Sequence, residues 1–416
     1  MLAQEEMISE SIKALWIYCQ KNDFCGYDPH DALNSPYLHL PGKLPKQIAI
    51  QLLKRSPVNP RKLFGVKKGH NPKGLGLFFS GASALYRMTG EDEFKSTAYR
   101  MAEQLARLKS DGYSGYCWGY NFDWQSRAFY LPKFTPTIVA TAFIGNAFFD
   151  AYEALKDEEF LKIAISAAKF IANDIKRTTF EDSLCFSYSP RDKSQVHNAN
   201  MLGAAYLAKA AFYEDNHDYA ELAFRAVEFS LSYQRPDGSW LYGISPSQNW
   251  IDNFHTGYMI DCLGDYIRYS SRYELERNFR RAARYYAANL FTDEGAPKYY
   301  PDQIYPIDIH SCSQAIITLS KLALQFEDYS APLEKCLNWT LHNMRDPSGY
   351  FYFQKNRFYT NHISYMRWSQ AWMLKALIEY CGYLEKIRST ASVIALGERY
   401  ELRLENNRFS FERAKI

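Results

Sequence analysis

No stretch of this 416-residue chain approaches the roughly 20 consecutive apolar residues that a membrane-spanning helix needs. Its start, MLAQEEMISESIKALWIYCQ, carries acids where a secretory leader would carry bases, and no apolar core follows them. The eight cysteines form no CxxC pair and show no metal-ligand spacing, which argues against a zinc-type site and for free thiols in a reducing compartment. These absences predict a cytoplasmic protein with no membrane span, no bound metal and no resident cofactor. Neither sign of charge dominates. A net charge of +3 favours neither nucleic acid nor a membrane surface as partner. There is no GxxxxGK[ST] run, so a nucleotide phosphate loop is not supported.

The chain has aromatic residues in excess instead. They make up 16% of it, with 33 tyrosines, and such rings suit stacking on sugars as well as they suit filling a helical core. A hydrophobic fraction of 47% against 23% charged is that of a globular protein with a large core.

A repeat organises most of the sequence. In QRPDGSWLYGISPSQNWIDNFHTGYMIDCL a Pro-Asp-Gly turn is followed by an aromatic, polar loop and then by an apolar helix. His197 opens HNANMLGAAYLA, His255 opens HTGYMIDCL and His310 opens HSCSQAIITL, at intervals of 58 and 55 residues. Further steps of that length fall near Tyr365 on one side and near Thr137 and Phe79 on the other. Each apolar helix is followed by an amphipathic one, such as EFLKIAISAAKFIAND or DYAELAFRAVEFSLSYQ, with apolar positions at i, i+3, i+4 and i+7. Six such pairs predict an all-α ring, an (α/α)6 toroid, over residues 76–388. Residues 1–75 then form a helical and looped N-terminal extension packed on the barrel, and 389–416 a peripheral tail.

In a ring of hairpins the equivalent loops emerge on one rim, and the inner helix starts converge on the axis. His197, His255 and His310 are therefore candidate catalytic groups, with Asp252 one turn from His255 and Asp123 in the loop after the first hairpin. That loop also holds Trp118, Tyr120, Trp124 and Arg127, a set suited to contacting a ligand. Asn198, Trp240, Tyr365 and Arg367 complete the expected binding wall. The segment FCGYDPHDALNSPYL concentrates Asp28, His30 and Asp31, which are expected to edge the cavity or else to cap local turns. Lys67, Lys68, His70 and Lys73 stand among glycines just before a helix start, as an anion seat or as a solvated charge run.

The hairpin series resembles the six-hairpin (α/α)6 toroids of carbohydrate-active enzymes. YQRPDGSW is similar to the glutamine-tryptophan repeat of terpene cyclases, but their DxDD motif is absent. GYDPHDALNSP, KGHNPKGLGLF, QVHNANMLGAAYLA and MRWSQAWM resemble, over most of the chain, a family encoded with bacterial exopolysaccharide or lipopolysaccharide genes. The catalytic domain of glucuronyl C5-epimerases is a more distant resemblance, and no short motif carries its tyrosines onto this sequence. The resemblances imply a protein of surface polysaccharide biosynthesis that handles an oligosaccharide or sugar precursor. Two chemistries fit the residues: proton abstraction beside a uronate carboxylate, giving epimerisation or β-elimination, and hydrolysis by two carboxylates among Asp123, Asp252 and Asp308. A non-catalytic role in glycan binding or assembly is the alternative.

Overall fold

The computed structural model describes residues 2–127, 129–395, 400–405 and 408–413. Thirteen α-helices run through the described residues. Six of them form a closed inner ring: α3 (Pro72–Thr89), α5 (Ile138–Leu155), α7 (His197–Glu214), α9 (Asn253–Ser270), α11 (Ile309–Ala323) and α13 (Trp372–Ala395). Each packs on the next, and α13 packs back on α3. The outer helices α4 (Asp92–Arg107), α6 (Glu158–Asn173), α8 (His217–Ser232), α10 (Glu276–Asn289) and α12 (Ser330–Asn343) each lie against the inner helix that precedes them. This is the (α/α)6 toroid.

The two layers differ in sequence for a physical reason. Inner helices are covered on every side, so α7 is buried from His197 to Ala211 and is built largely of alanine, glycine, methionine and leucine. Outer helices bury one stripe; in α8 it comprises Tyr219, Ala223, Ala226, Val227, Phe229 and Ser230. Capping sets the inner starts. The side chains of Asn71, Thr137, Asp252 and Asp308 accept from main-chain N–H groups two or three residues on. Five of the six expected starts fall within two residues of a helix's first residue or cap. The exception is Phe79, which lies mid-helix: α3 begins at Pro72, where proline at the first position needs no hydrogen-bond partner.

The Pro-Asp-Gly turn recurs as geometry. Gly238, Gly295 and Gly349 have φ of 97°, 91° and 99°. Each donates its N–H to a carbonyl three residues back at 2.9 Å. Each also presses on the outer helix of the next hairpin. A Cβ on Gly238 would meet the Arg281 carbonyl at 2.4 Å, and one on Gly295 would meet Lys335. The contact of Gly349 is Ala14, in α1 (Leu2–Lys21). Helix α1 thus stands where a sixth outer helix belongs, packed on α13, with Leu15 and Trp16 in the main core. Gly238→Ala combines a left-handed backbone with a backbone clash, and is expected to lower unfolding free energy by about 1–3 kcal/mol in urea titrations. Gly90, also left-handed but with open space around it, is expected to cost less.

Between α1 and α3 the chain forms the loop with Asp28 and a short helix, α2 (Lys43–Arg55). Short hairpins decorate the same rim: β1 (Trp124–Gln125) with β2 (Tyr130–Leu131), β3 (Arg177–Thr179) with β4 (Leu184–Phe186), and a three-stranded sheet of β5 (Ile307–Asp308), β6 (Gln354–Lys355) and β7 (Thr360–Asn361). Of the tail 389–416, residues 396–399, 406–407 and 414–416 lie outside the described residues. Within it, β8 (Tyr400–Glu405) pairs with β9 (Arg408–Arg413).

Candidate active site

The first turn of α9 builds the most chemically organised group. Asp252 caps the helix through its Oδ1, which accepts from the His255 N–H at 3.0 Å. Its Oδ2 accepts from Trp250 Nε1 at 2.9 Å and from His255 Nδ1 at 2.7 Å. A carboxylate only accepts, so the imidazole proton sits on Nδ1 and the lone pair of the neutral ring on Nε2. Among the described residues Nε2 has no hydrogen-bond partner, and the side chain is 22% exposed. Tyr242, stacked on Trp250 at 4.4 Å, walls the ring on one side and Phe254 on the other, at 4.6 and 4.2 Å. Arg127, exposed at the rim, lies 4.8 Å over Trp250.

His310 reaches the same place from α11. Its ring is 4.7 Å from that of Phe254, so the two histidines flank one aromatic side chain. His310 Nε2 and the Tyr258 hydroxyl share a 2.5 Å hydrogen bond, while Nδ1 is buried without a partner. Burial, followed by the nearby Lys73 and Arg367 charges, pushes the His310 pKa well below that of a free imidazole. Burial also pushes the Tyr258 hydroxyl well above the ordinary tyrosine value. A neutral imidazole bonded to a neutral phenol is the arrangement this favours.

Lys73, in the first turn of α3, completes the floor. It is 3% exposed, and its ammonium lies 4.0, 5.1 and 5.7 Å from the rings of Phe143, Trp372 and Tyr258. Among the described residues it has no acidic partner within salt-bridge reach. Burial and the charge of Arg367 lower its pKa well below that of a free lysine. Arg367 itself does not offer its fork to the cavity. It starts the sixth inner helix in a π-helical stretch, Met366–Ala371, and donates Nε and Nη2 to Asp28 at 2.5 and 2.8 Å. A neighbouring pair repeats the arrangement: Arg61 donates to Asp31 at 2.6 Å and to the Tyr365 hydroxyl at 2.8 Å.

Several expected positions take other roles. Trp118 is fully buried; it donates to the Leu105 carbonyl and stacks on Phe148, so it is core and not a binding wall. Asp123 accepts from the Tyr130 hydroxyl and the Lys133 N–H, and so ties the β1–β2 hairpin together. His197 turns toward the outer helix α8, 3.3 Å from Ser230 Oγ and against Phe229 and Tyr233, and burial lowers its pKa to about 4. Trp240 donates to the Ser230 carbonyl beside it. His197, Asn198 and Trp240 back the recess that contains Asp252 and His255. Tyr365 serves as a partner of Arg61 and Arg367 as the partner of Asp28, where direct substrate contact was expected; Asp28 and Asp31 also accept from the His30 and Asp28 N–H groups, the turn-capping alternative of the sequence reading.

Other positions do face the cup. Tyr120 lies beneath Arg367 at 5.3 Å, and Trp124 packs edge-on to Tyr120. His30 is wedged between Trp124 and Trp368 with its Nδ1 unpaired. Asp308 is held by Trp368 Nε1 and Gln354 Nε2 at 2.8 and 2.6 Å. The residues that sequence reasoning passed over are Tyr258 and Trp372, hidden inside apolar helical runs. Lys73 was visible only as one member of a basic cluster.

No protein-family model matches the chain, and no curated protein sequence matches it. Solved structures do. An unsaturated glucuronyl hydrolase specific for heparin superposes with a TM-score of 0.60 at 12% identity, over 91% of this chain and 97% of that one. A cellobiose 2-epimerase from Spirochaeta thermophila gives 0.59 at 11% identity, over 77% and 87%. A GH76 α-mannanase from Bacteroides thetaiotaomicron gives 0.57 at 12%, over 76% and 87%. The fold shared with these structures is the (α/α)6 toroid. No helix among the described residues is long and apolar enough to cross a membrane.

Proposed function

We propose that this protein is a glycan-processing enzyme that moves a proton on a sugar ring, next to the carboxylate of an acidic glycan or its precursor, giving epimerisation or β-elimination. The observation that carries the reading is the Asp252–His255 pair, whose Nε2 lone pair is unpartnered at the aromatic cup. In that role His255 is the base, and Asp252 fixes its tautomer and stabilises the imidazolium formed. The Tyr258 hydroxyl, backed by neutral His310, is placed to return a proton. Lys73 supplies positive charge where an enolate would develop, and Arg127 meets the acidic group at the rim.

Hydrolysis by paired carboxylates has less support. Asp252 and Asp308 are each held by three fixed donors, and Asp123 belongs to a rim hairpin. The likeness to epimerase and hydrolase structures supports carbohydrate chemistry, and the sequence resemblance to polysaccharide gene-cluster proteins is the support for a role in surface polysaccharide biosynthesis. The test is incubation with a panel of uronic-acid oligosaccharides and analysis for epimers, unsaturated ends and new reducing ends. Epimers or unsaturated ends are expected. New reducing ends alone would select hydrolysis, and tight binding without turnover would select the assembly role.

Lys73 allows a separate check. Its lowered pKa means that the unfolded chain binds the proton more tightly, so wild-type stability rises with pH between the folded-state pKa and that of free lysine. Lys73→Met removes a buried charge with no acidic partner. The variant is expected to be more stable than wild type below the folded-state pKa of Lys73, to lose that alkaline rise, and to turn over acidic substrate poorly. Equal stability at every pH would show that the ammonium is adequately solvated.

A further inference from the structure

Helix α2 is apolar on two faces. Ala49, Ile50 and Leu53 point inward, and Ile50 and Leu53 pack with Ala32, Leu33 and Trp124 over the rim of the cup. Leu44, Ile48 and Leu52, one turn apart on the other side, are 65%, 49% and 65% exposed. Val58 and Leu63 in the following loop are exposed too. Beside them stands the tip of the β6–β7 hairpin, with exposed Arg357 and Phe358, tied to this loop by a 2.9 Å bond from Asn361 Nδ2 to the Ser56 carbonyl. A contiguous set of large exposed apolar side chains on one surface marks an interaction site.

The segment that supplies most of this surface carries charge of one sign. Between Asp31 and Glu91 the sequence contains ten lysines and arginines and not one acid. Lys43, Arg55, Lys62, Lys67 and Lys68 of that segment are exposed. The near-neutral total charge, which favours no membrane surface, hides this local asymmetry. Asp302, which acts with Arg55 on Tyr300, is an acid at its margin.

We propose that the outer face of α2, with the loop after it and the β6–β7 tip, docks this protein on an anionic bilayer surface. A short helix that carries leucines and isoleucine on one side and is flanked by lysines lies in the headgroup layer, with its apolar side chains at the acyl boundary. The opposite face of α2 covers the cup: Gln47 donates to the Ser126 carbonyl at 2.8 Å, and Lys54 lies 5.4 Å over Trp368. Docking therefore brings the mouth of the cup to the headgroups, where a glycan on a lipid anchor would be presented. The inference does not depend on which reaction the cup performs.

Flotation of the full-length protein with phosphatidylcholine vesicles, with and without phosphatidylserine, tests it. Wild type is expected to float with the anionic vesicles only, and binding should fade as salt shortens the Debye length from about 8 Å at physiological strength to about 3 Å at 1 M. Leu44→Ser with Leu52→Ser should weaken binding about tenfold or more. Lys43→Ser with Lys62→Ser should weaken it about fivefold per residue. Both should leave the unfolding temperature unchanged, since none of these side chains packs inward. No flotation of wild type, or equal flotation of all variants, would overturn the proposal. So would light scattering that shows a wild-type dimer split by the leucine substitutions, which would make this face a subunit interface.

Discussion

His255→Ala is expected to lower kcat on an acidic glycan by about 10²–10⁴-fold, the usual contribution of a positioned general base, while the protein stays folded. The structure explains why both can hold. The helix cap does not need the imidazole: the main-chain N–H at 255 still donates to Asp252 Oδ1, and Trp250 Nε1 still donates to Oδ2. What alanine removes is the ring between Tyr242 and Phe254 and its unpartnered Nε2. Asp252→Asn separates orientation from basicity. An amide can present its N–H to Nδ1, which moves the imidazole proton to Nε2 and blocks the base, so activity should fall while KM changes little. Were His255 merely a tie between loop and helix, the alanine variant would lose thermal stability and keep its activity per folded molecule. That pairing of results is the opposite of the one expected.

Asp28→Ala is expected to have the largest effect on stability, about 3–5 kcal/mol, the cost of leaving one partner of a buried ion pair uncompensated. Arg367 is 4% exposed, lies between the rings of Tyr120 and Trp368, and feels the charge of Lys73 nearby. Without Asp28 its guanidinium has two buried donors aimed at nothing. The pair also joins the two ends of the ring, since Asp28 precedes the first inner helix and Arg367 opens the last. Beside it, Gly26 and Gly69 exchange main-chain hydrogen bonds at 3.2 and 3.0 Å. Arg367→Met alone should cost stability too, and Asp28→Ala with Arg367→Met should recover some of the loss, because both charges then leave together. Chemical denaturation of the single and double variants gives the coupling energy directly. Purely additive losses would show that the pair does not act as a unit.

The ring was legible because its signal is repeated. A helix start recurring every 55 to 60 residues, followed in five of six cases by an amphipathic partner, survives errors at any one position; among the starts only Phe79 was misplaced, and the sixth partner comes from α1 at the other end of the sequence. There the cap is Asn71 and the first turn is Pro-Lys-Gly, which reads locally as loop. The site was less legible, because spacing along the chain says which residues reach the rim but not which way they turn. His255 and His197 occupy related places in the repeat, yet one faces the cup and the other faces Ser230 on an outer helix. Arg367 and Asp28 are 339 residues apart, and nothing local marks either as the other's partner. Tyr258 and Lys73 gain their chemistry from burial and from neighbours on other helices. Composition cannot supply that.

Proton transfer by His255 is open to test by solvent isotope exchange. The protein is incubated in deuterium oxide with uronic-acid oligosaccharides, and the recovered sugars are examined by mass spectrometry and proton NMR. Deuterium at the carbon next to the carboxylate, or loss of that hydrogen with formation of a double bond, is the result expected for wild type. Both should be absent for His255→Ala. Glycosidic bond cleavage with that carbon still fully protonated, and with the His255→Ala variant equally active, would contradict the account.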